Sequence, residues 1–153
     1  SGPLREGLSA LKRANCVIIN GEKNTDIENR IFSKNKEIKI FYTKYKAQNI
    51  DEFKNKKVTA FAGIGNPINF FNLLRDNNID ILEEISFPDH YNYFGKELEN
   101  LINKAKENNT ILLTTEKDYL RIDENYKKNI NCLKIVVEIE NRNQFIEEIK
   151  KVI

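Results

Sequence analysis

The chain has a single histidine and neither tryptophan nor methionine among its 153 residues. Its two cysteines, Cys16 and Cys132, are too few to favour a zinc site of Cys and His ligands, so no metal site is predicted. Each cysteine begins an apolar run, which favours buried, reduced thiols in a cytoplasmic protein. No apolar run approaches the roughly 20 residues of a membrane span, and there is no signal-peptide pattern.

Neither positive nor negative charge predominates in the chain. The chain has 25 basic and 23 acidic residues, for a net charge of +2. A balance this close gives no reason to expect nucleic acid as a partner. Hydrophobic residues make up 40% and charged residues 31%, proportions typical of a soluble globular protein.

Short apolar runs alternate with segments of helical periodicity. The runs predict strands at 16–20, 38–45, 58–62, 79–87, 110–115 and 132–139. Helices are predicted at 7–14, 24–33, 67–77, 94–107 and 116–122, with a last helix capped by Asn141. Alternation of this kind predicts the α/β class, with a mainly parallel sheet flanked by helices. The 38–45 and 132–139 segments are expected to pair antiparallel as a two-stranded linker between domains.

The sole histidine, His90, lies in the run Phe87-Pro88-Asp89-His90-Tyr91. Pro88 favours an extended Phe87, so a strand should end there and present Asp89 and His90 at its carboxyl edge. Ligands of open α/β sheets bind at that edge, and an imidazole can do acid–base chemistry near neutral pH. The alternative is a solvated loop in which Asp89 caps the next helix.

A glycine motif, Gly63-Ile64-Gly65-Asn66-Pro67, also follows a strand and begins a helix. Asn66 is a suitable N-cap and Pro67 a suitable first helical residue. Free N–H groups at such a helix start can bind an anion. The motif lacks the third glycine of the dinucleotide fingerprint and the Lys-Ser/Thr of a P-loop, so a purely structural turn is the competing interpretation.

A third strand end carries Thr114-Thr115-Glu116-Lys117-Asp118. Thr115 can cap the following helix, and Asp118 can complete an arrangement like a capping box. Lys117 would then either neutralise a phosphate or be an ordinary exposed lysine. The strand ends at Gly63, Asp89 and Thr115 should deliver polar groups to one sheet edge, which is more informative than any single motif.

Near the start, Arg5 and Glu6 precede the first helix. Arg5 can bind a phosphate through two N–H groups, or the two residues can belong to a surface ion pair. The residues themselves do not separate these interpretations.

Several motifs occur in a fixed order: Gly-Pro-Leu-Arg-Glu (2–6), Leu-Lys-Arg-Ala (11–14), Ala-Gly-Ile-Gly-Asn-Pro (62–67), Phe-Phe (70–71), Phe-Pro-Asp-His (87–90) and Thr-Glu-Lys-Asp (115–118). The ordered set resembles the carboxyl-terminal half of the tetraacyldisaccharide 4'-kinase family. Members phosphorylate the 4'-hydroxyl of the lipid A disaccharide and belong to the P-loop NTPase superfamily. The family's P-loop lies upstream of these motifs and has no counterpart in this chain.

The resemblance implies roles for individual residues. His90, with Asp89 beside it, would help an upstream aspartate to activate the acceptor hydroxyl. Arg5 and Glu6 would lie near the nucleotide phosphates. Residues expected to line a cleft between domains are Gly63, Gly65, Asn66, Thr115 and Lys117. ATP and Mg²⁺ would be held mainly outside this chain, which by itself is expected to be inactive.

The resemblance also implies a domain division and a location. Residues 1–36 would end a nucleotide-binding core, and 37–47 would be a linker strand. Residues 48–131 would form a smaller α/β domain, and 132–153 would be the returning strand and last helix. The substrate would be the lipid A disaccharide precursor, met at the cytoplasmic face of the inner membrane. A non-catalytic α/β module that binds an anionic ligand is the alternative function.

Overall fold

The computed structural model describes residues 6–152. Seven strands are present in this range: β1 (Cys16–Asn20), β2 (Lys39–Ala47), β3 (Lys57–Ala62), β4 (Asp80–Ser86), β5 (Ile111–Thr115), β6 (Asn131–Leu133) and β7 (Ile135–Ile139). The helices are α1 (Thr25–Phe32), α2 (Pro67–Asp76), α3 (Gly95–Glu107), α4 (Glu116–Arg121), α5 (Glu124–Lys127) and α6 (Arg142–Lys150). Short 3₁₀ turns cover Leu8–Arg13 and Ile50–Phe53.

The described residues divide into two compact units. One comprises the residues up to Lys46 together with those from Val137 onward, and the other is Ala47–Val136. The division falls inside β2 and β7, so both strands cross from one unit to the other. No helix among residues 6–152 is long and apolar enough to cross a membrane.

The Ala47–Val136 unit contains a four-stranded sheet in the order β4-β3-β5-β6, and every pair in it is parallel. The central strand β3 is almost completely buried because it is covered on both faces. Its near-continuous apolar sequence is typical of such a strand. The α/β class with a mainly parallel sheet, predicted from the alternation of elements, is confirmed.

Helices α2 and α3 cover opposite faces of this sheet. Val58, Ala60 and Ala62 of β3 pack in one core cluster with Phe70, Phe71 and Leu74 of α2. Phe61, which points to the other face because side chains alternate along a strand, packs with Leu98, Leu101 and Ile102 of α3. The chain therefore leaves β3 towards one face and leaves β4 towards the other.

The second sheet has the order β1-β2-β7. β1 and β2 are parallel, from Cys16 opposite Lys39 to Asn20 opposite Thr43. β7 runs antiparallel to β2, since Gln48 N–H donates to Lys134 O while Glu140 N–H donates to Tyr42 O. Phe145 of α6 meets Phe41 of β2 edge-on, with ring centroids 5.2 Å apart.

The expectation of one continuous strand over 132–139 is wrong. The chain forms β6 against β5 and then β7 against β2, with Lys134 between them. The side chain of Asn49 forms hydrogen bonds with the backbone on both sides of this break. Its Nδ2 donates to Cys132 O over 3.1 Å, and its Oδ1 accepts from Lys134 N over 2.8 Å.

Two predicted cap residues, Asn66 and Asn141, occupy the expected N-cap positions, but neither caps its helix with its side chain. The side chains of Asn66 and Asn141 make no cap hydrogen bond with any described residue, although α2 and α6 start directly after them. Asn141 adopts a left-handed conformation with φ of 53°, and its carbonyl accepts from Phe145 N. Thr115 does cap α4 as expected, accepting from Asp118 N over 3.1 Å.

Candidate active site at the carboxyl edge of the four-stranded sheet

Three loops meet at the carboxyl ends of β4, β3 and β5, which are neighbouring strands. The loop after β4 is bound to the loop after β3, because His90 N–H donates to Gly63 O over 3.1 Å. The segment after β5 is bound to the same residue, because Gly63 N–H donates to Asp118 Oδ2 over 3.0 Å. The expected convergence of these strand ends is therefore observed, with Gly63 at its centre.

His90 stands at this edge with its side chain 87% exposed. Its backbone is left-handed, with φ of 58°, a conformation that costs roughly 1–2 kcal/mol but is more common for His than for most residues. The Asp89 carboxylate lies beside it, with Oδ2 3.9 Å from His90 Nε2. Asp89 does not cap α3; the Phe94 N–H before that helix donates to Glu97 Oε2 over 3.2 Å.

Aromatic packing holds the loop that carries His90. Phe87 stacks on Tyr91 with ring centroids 4.9 Å apart, and both rings contact Tyr93 edge-on. Phe87 and Tyr93 also pack on Phe61 of β3. The Tyr91 hydroxyl donates to Glu97 Oε1 over 2.6 Å, a hydrogen bond that raises the pKa of Tyr91. These contacts hold the loop in place on both sides of the exposed His90 side chain.

Asp118 has a larger part in this edge than the sequence suggested. It was predicted as the fourth residue of a capping arrangement, but its side chain is completely buried. Its Oδ2 accepts from Gly63 N and, over 2.6 Å, from the Thr115 hydroxyl. A buried carboxylate needs such donors, because an uncompensated charge in the interior is strongly destabilising.

Arg121 was missed by the sequence analysis and supplies the countercharge. Its Nη2 lies 2.6 Å from Asp118 Oδ1 and 3.0 Å from Gly63 O. Its Nη1 donates to Tyr91 O over 3.4 Å. A signal was available in the sequence: an aspartate and an arginine three residues apart share a helix face, directly after a buried strand.

Gly63 cannot carry a side chain in this arrangement. A Cβ atom there would lie 2.7 Å from the Tyr93 hydroxyl and 3.2 Å from Asp118 Oδ1. Because Asp118 already accepts from the Gly63 N–H, that group is not free to bind a phosphate. The geometry favours the structural interpretation of this glycine over a phosphate-binding one.

The remaining predicted residues of this edge are more exposed. The Asp89 carboxylate lies against Gly65, where an added Cβ would be 3.2 Å from Asp89 Oδ2. Asn66 and Lys117 are both exposed, and Lys117 O accepts from Arg121 Nε over 3.3 Å. Their role in lining a cleft stays a prediction.

Tyr93 places its hydroxyl in the interior beside Asp118. The hydroxyl makes no hydrogen bond of good geometry with the described residues. Burial, followed by the negative charge of Asp118, raises the pKa of Tyr93 far above its ordinary value. Tyr93 is therefore neutral throughout the physiological pH range.

The predicted nucleotide-binding pair is Arg5 and Glu6, of which Glu6 belongs to the other unit. Arg5 is outside the described residues, and Glu6 is exposed and forms an ion pair with Arg13. The role of both residues near phosphates stays a prediction. Within residues 6–152, no three His, Cys, Asp or Glu side chains group as a metal site would require. Cys16 and Cys132 are free thiols.

A family model described as tetraacyldisaccharide-1-P 4'-kinase matches residues 1–153. Curated relatives carry the name tetraacyldisaccharide 4'-kinase. The protein of Pelagibacter ubique is 36% identical over 154 residues, covering 99% of this chain and 49% of that protein. The Rickettsia bellii protein is 40% identical over 153 residues, covering 99% of this chain and 46% of that protein.

A solved structure has the same fold. It is the crystal structure of an "apo" form of LpxK from Aquifex aeolicus in complex with ATP. It is 24% identical in sequence and matches 97% of this chain and 46% of that one, with a TM-score of 0.62. The chain spans about half the length of the curated relatives that it matches. On the family match over its whole length, the chain belongs to the tetraacyldisaccharide-1-P 4'-kinase family.

Proposed function

We propose that this chain is the carboxyl-terminal portion of a lipid A pathway kinase. The complete enzyme transfers the γ-phosphoryl group of ATP to the 4'-hydroxyl of a tetraacyldisaccharide 1-phosphate. The observation that carries the proposal is the family match over residues 1–153, together with relatives that bear this name at 36–40% identity. The exposed His90 at the carboxyl edge of a parallel sheet is the matching chemical feature.

In this proposal, His90 acts on the acceptor hydroxyl. A neutral imidazole can accept the hydroxyl proton as the oxygen attacks phosphorus, or hold that oxygen in line with the leaving group. Two features support the role: the imidazole is accessible, and its backbone is fixed by the bond to Gly63 O. Asp89, whose carboxylate lies 3.9 Å from His90 Nε2, would help to orient the turn that carries the imidazole.

ATP and Mg²⁺ are proposed to bind mainly outside this chain. The Aquifex aeolicus protein of the same fold was crystallised in complex with ATP, which supports ATP as the nucleotide. When bound, the magnesium ion would neutralise charge on the transferred phosphoryl group. The described residues do not group as a magnesium site would require, so the ion's ligands would lie elsewhere in the complete enzyme. Arg5 and Glu6 would lie near the phosphates.

The proposal includes the division of the chain and its location. Residues 1–36 would end the nucleotide-binding core, and 48–131 would form the smaller domain beyond the 37–47 strand. Gly63, Gly65, Asn66, Thr115 and Lys117 would line the cleft that faces the acceptor. Because the acceptor is a lipid, the enzyme would meet it as a peripheral protein at the cytoplasmic face of the inner membrane.

The alternative, a module that binds an anion without catalysis, has less support. It depended on free N–H groups at the Gly63–Pro67 turn, and the Gly63 N–H already donates to Asp118. Asp89 places a further negative charge beside Gly65.

The test starts from the gene that encodes the chain. Sequencing upstream should find an in-frame P-loop, and the full-length protein should then transfer labelled γ-phosphate from ATP to tetraacyldisaccharide 1-phosphate. An acceptor that already carries a 4'-phosphate is the control and should stay unlabelled. Absence of an upstream P-loop, or a folded full-length protein without transfer, would contradict the kinase and favour the binding module.

A further inference from the structure

We propose that Asp118 and Arg121 are positioning residues for His90, a role that rests on the proposed kinase function. The two residues form an ion pair in which Asp118 is completely buried and Arg121 is partly buried. The pair binds Gly63 through both its N–H and its carbonyl, and the same carbonyl accepts from His90 N–H. The juxtaposition that carries the inference is Arg121 Nη2 between Asp118 Oδ1 and Gly63 O.

Asp118 links the end of β3 to the start of α4. Its completely buried carboxylate accepts from the Gly63 N–H, the Thr115 hydroxyl and Arg121. Charge-assisted hydrogen bonds of this kind are short and strong, and they fix geometry as well as adding stability. The end of β3 and the start of α4 are therefore held at a set distance.

Arg121 binds two carbonyls next to His90, one on the loop after β3 and one in the His90 loop itself. Its Nη2 donates to Gly63 O, the same oxygen that accepts from His90 N–H. Its Nη1 donates to Tyr91 O, the carbonyl that follows His90. A planar guanidinium presents several N–H groups in a fixed fork, so one side chain can hold two carbonyls in register.

The position of the His90 side chain depends on the His90 backbone. The imidazole is 87% exposed, so its place is set mainly by its backbone. That backbone is left-handed, a conformation that persists only where the surroundings impose it. Arg121 binds Gly63 O, which accepts from His90 N–H, and also Tyr91 O, the carbonyl of the next residue in the chain. Loss of Arg121 would therefore release the histidine without removing it.

The first experiment measures backbone order in the 153-residue chain. Because neutralising Arg121 alone would leave a buried unpaired carboxylate, the variant is the double change Asp118→Asn with Arg121→Gln. Amide hydrogen exchange by NMR should accelerate about tenfold or more at His90, while amides of β3 and β5 keep their protection. Arg75→Gln, which removes an exposed arginine paired with Glu84, is the matched control and should leave His90 unchanged. Unchanged exchange at His90 in the folded double variant would overturn the proposal.

The second experiment measures coupling in the full-length kinase. The double change should lower kcat by up to about 100-fold and leave the KM for ATP unchanged, since only the acceptor side is misplaced. In a His90→Ala background the same change should have no further effect on kcat, because the ion pair acts through His90. Fully additive losses would show a merely structural role and overturn the proposal.

A third variant protects the test against failure to fold. Arg121→Lys keeps the positive charge beside Asp118, but a lysine cannot bind both Gly63 O and Tyr91 O. The variant should therefore keep the native melting temperature and have a lower kcat. Native kcat in this variant would count against the proposal. If the full-length protein has no kinase activity at all, the proposed function fails, whereas the exchange measurement still decides whether Asp118 and Arg121 order His90.

Discussion

The backbone N–H of Gly63 donates to the Asp118 carboxylate over 3.0 Å, which joins the end of β3 to the helix after β5. In an open α/β sheet, ligands bind where neighbouring strands send the chain to opposite faces. β3 and β4 are such neighbours, because α2 and α3 cover opposite faces of the sheet. Between β3 and β5, by contrast, the protein's own Asp118 carboxylate is bound. The other side of β3, where Asp89 and His90 follow β4, carries the exposed polar groups.

This relationship predicts a cost for Gly63→Ala. The new methyl group would lie 2.7 Å from the Tyr93 hydroxyl and 3.1 Å from Tyr91 Cβ, so loop and helix must shift. Overpacking of this kind lowers the free energy of unfolding by about 1–3 kcal/mol. Urea denaturation monitored by circular dichroism measures this free energy of unfolding. Gly7→Ala is the control, because its methyl group would meet nothing nearer than Ser9 Oγ at 3.7 Å. Equal stability of the two variants would contradict the close approach at Gly63.

Tyr93 predicts a particular alkaline pH dependence. Its pKa is raised by burial and by Asp118, so above pH ~10 the unfolded chain loses the phenol proton while the folded chain keeps it. The stability from this group is complete below pH ~10 and falls as the pH rises further. Tyr93→Phe should therefore make the free energy of unfolding fall less steeply above pH ~10. Identical slopes for both proteins would show that the hydroxyl ionises freely in the folded state.

The 153-residue chain by itself should be inactive. It contains no P-loop motif, so it should neither bind ATP tightly nor phosphorylate the lipid acceptor. Calorimetric titration with ATP and a transfer assay measure the two properties, with the full-length Rickettsia bellii relative as positive control. Turnover by the purified chain would contradict the assignment of nucleotide binding to other parts of the enzyme.

Parallel strands of both sheets could be predicted because they are short and continuously apolar, although β1 is only partly buried whereas β3 is almost completely buried. The predictions at 16–20 and 58–62 agree with β1 and β3 to within a residue. The same rule failed at 132–139, where the apolar run continues through two strands in different sheets. At the break, the side chain of Asn49, which is far away in the sequence, forms hydrogen bonds with the backbones of Cys132 and Lys134. No local pattern contains that information.

The candidate site shows the same limit. His90 could be singled out because it is the sole histidine and follows a strand with Pro88 before it. Asp118 was assigned to a cap because Thr115 and Asp118 have capping spacing, and Asp118 N–H does bond to Thr115. Its further bond to Gly63 depends on β3 and β5 being neighbours, which is a property of the fold. Its bond to Arg121 lies within α4 and could have been read from the spacing.

Asp89 is expected to matter less than His90 in the full-length kinase. Its carboxylate lies beside the imidazole but 3.9 Å away, and it also covers Gly65. Asp89→Ala should therefore lower kcat less than His90→Ala does, through lost orientation of the turn. Steady-state kinetics of the two variants side by side give the comparison. A larger loss for Asp89→Ala would assign the acid–base role to the carboxylate.

The kcat of His90→Ala in the full-length kinase, measured beside its melting curve, tests the central claim most directly. If His90 activates the acceptor hydroxyl, kcat should fall by about 10²–10⁴-fold with little change in the KM for ATP. The melting temperature should not change, because the side chain is exposed. A folded variant with near-native kcat would contradict the account and remove His90 from the mechanism.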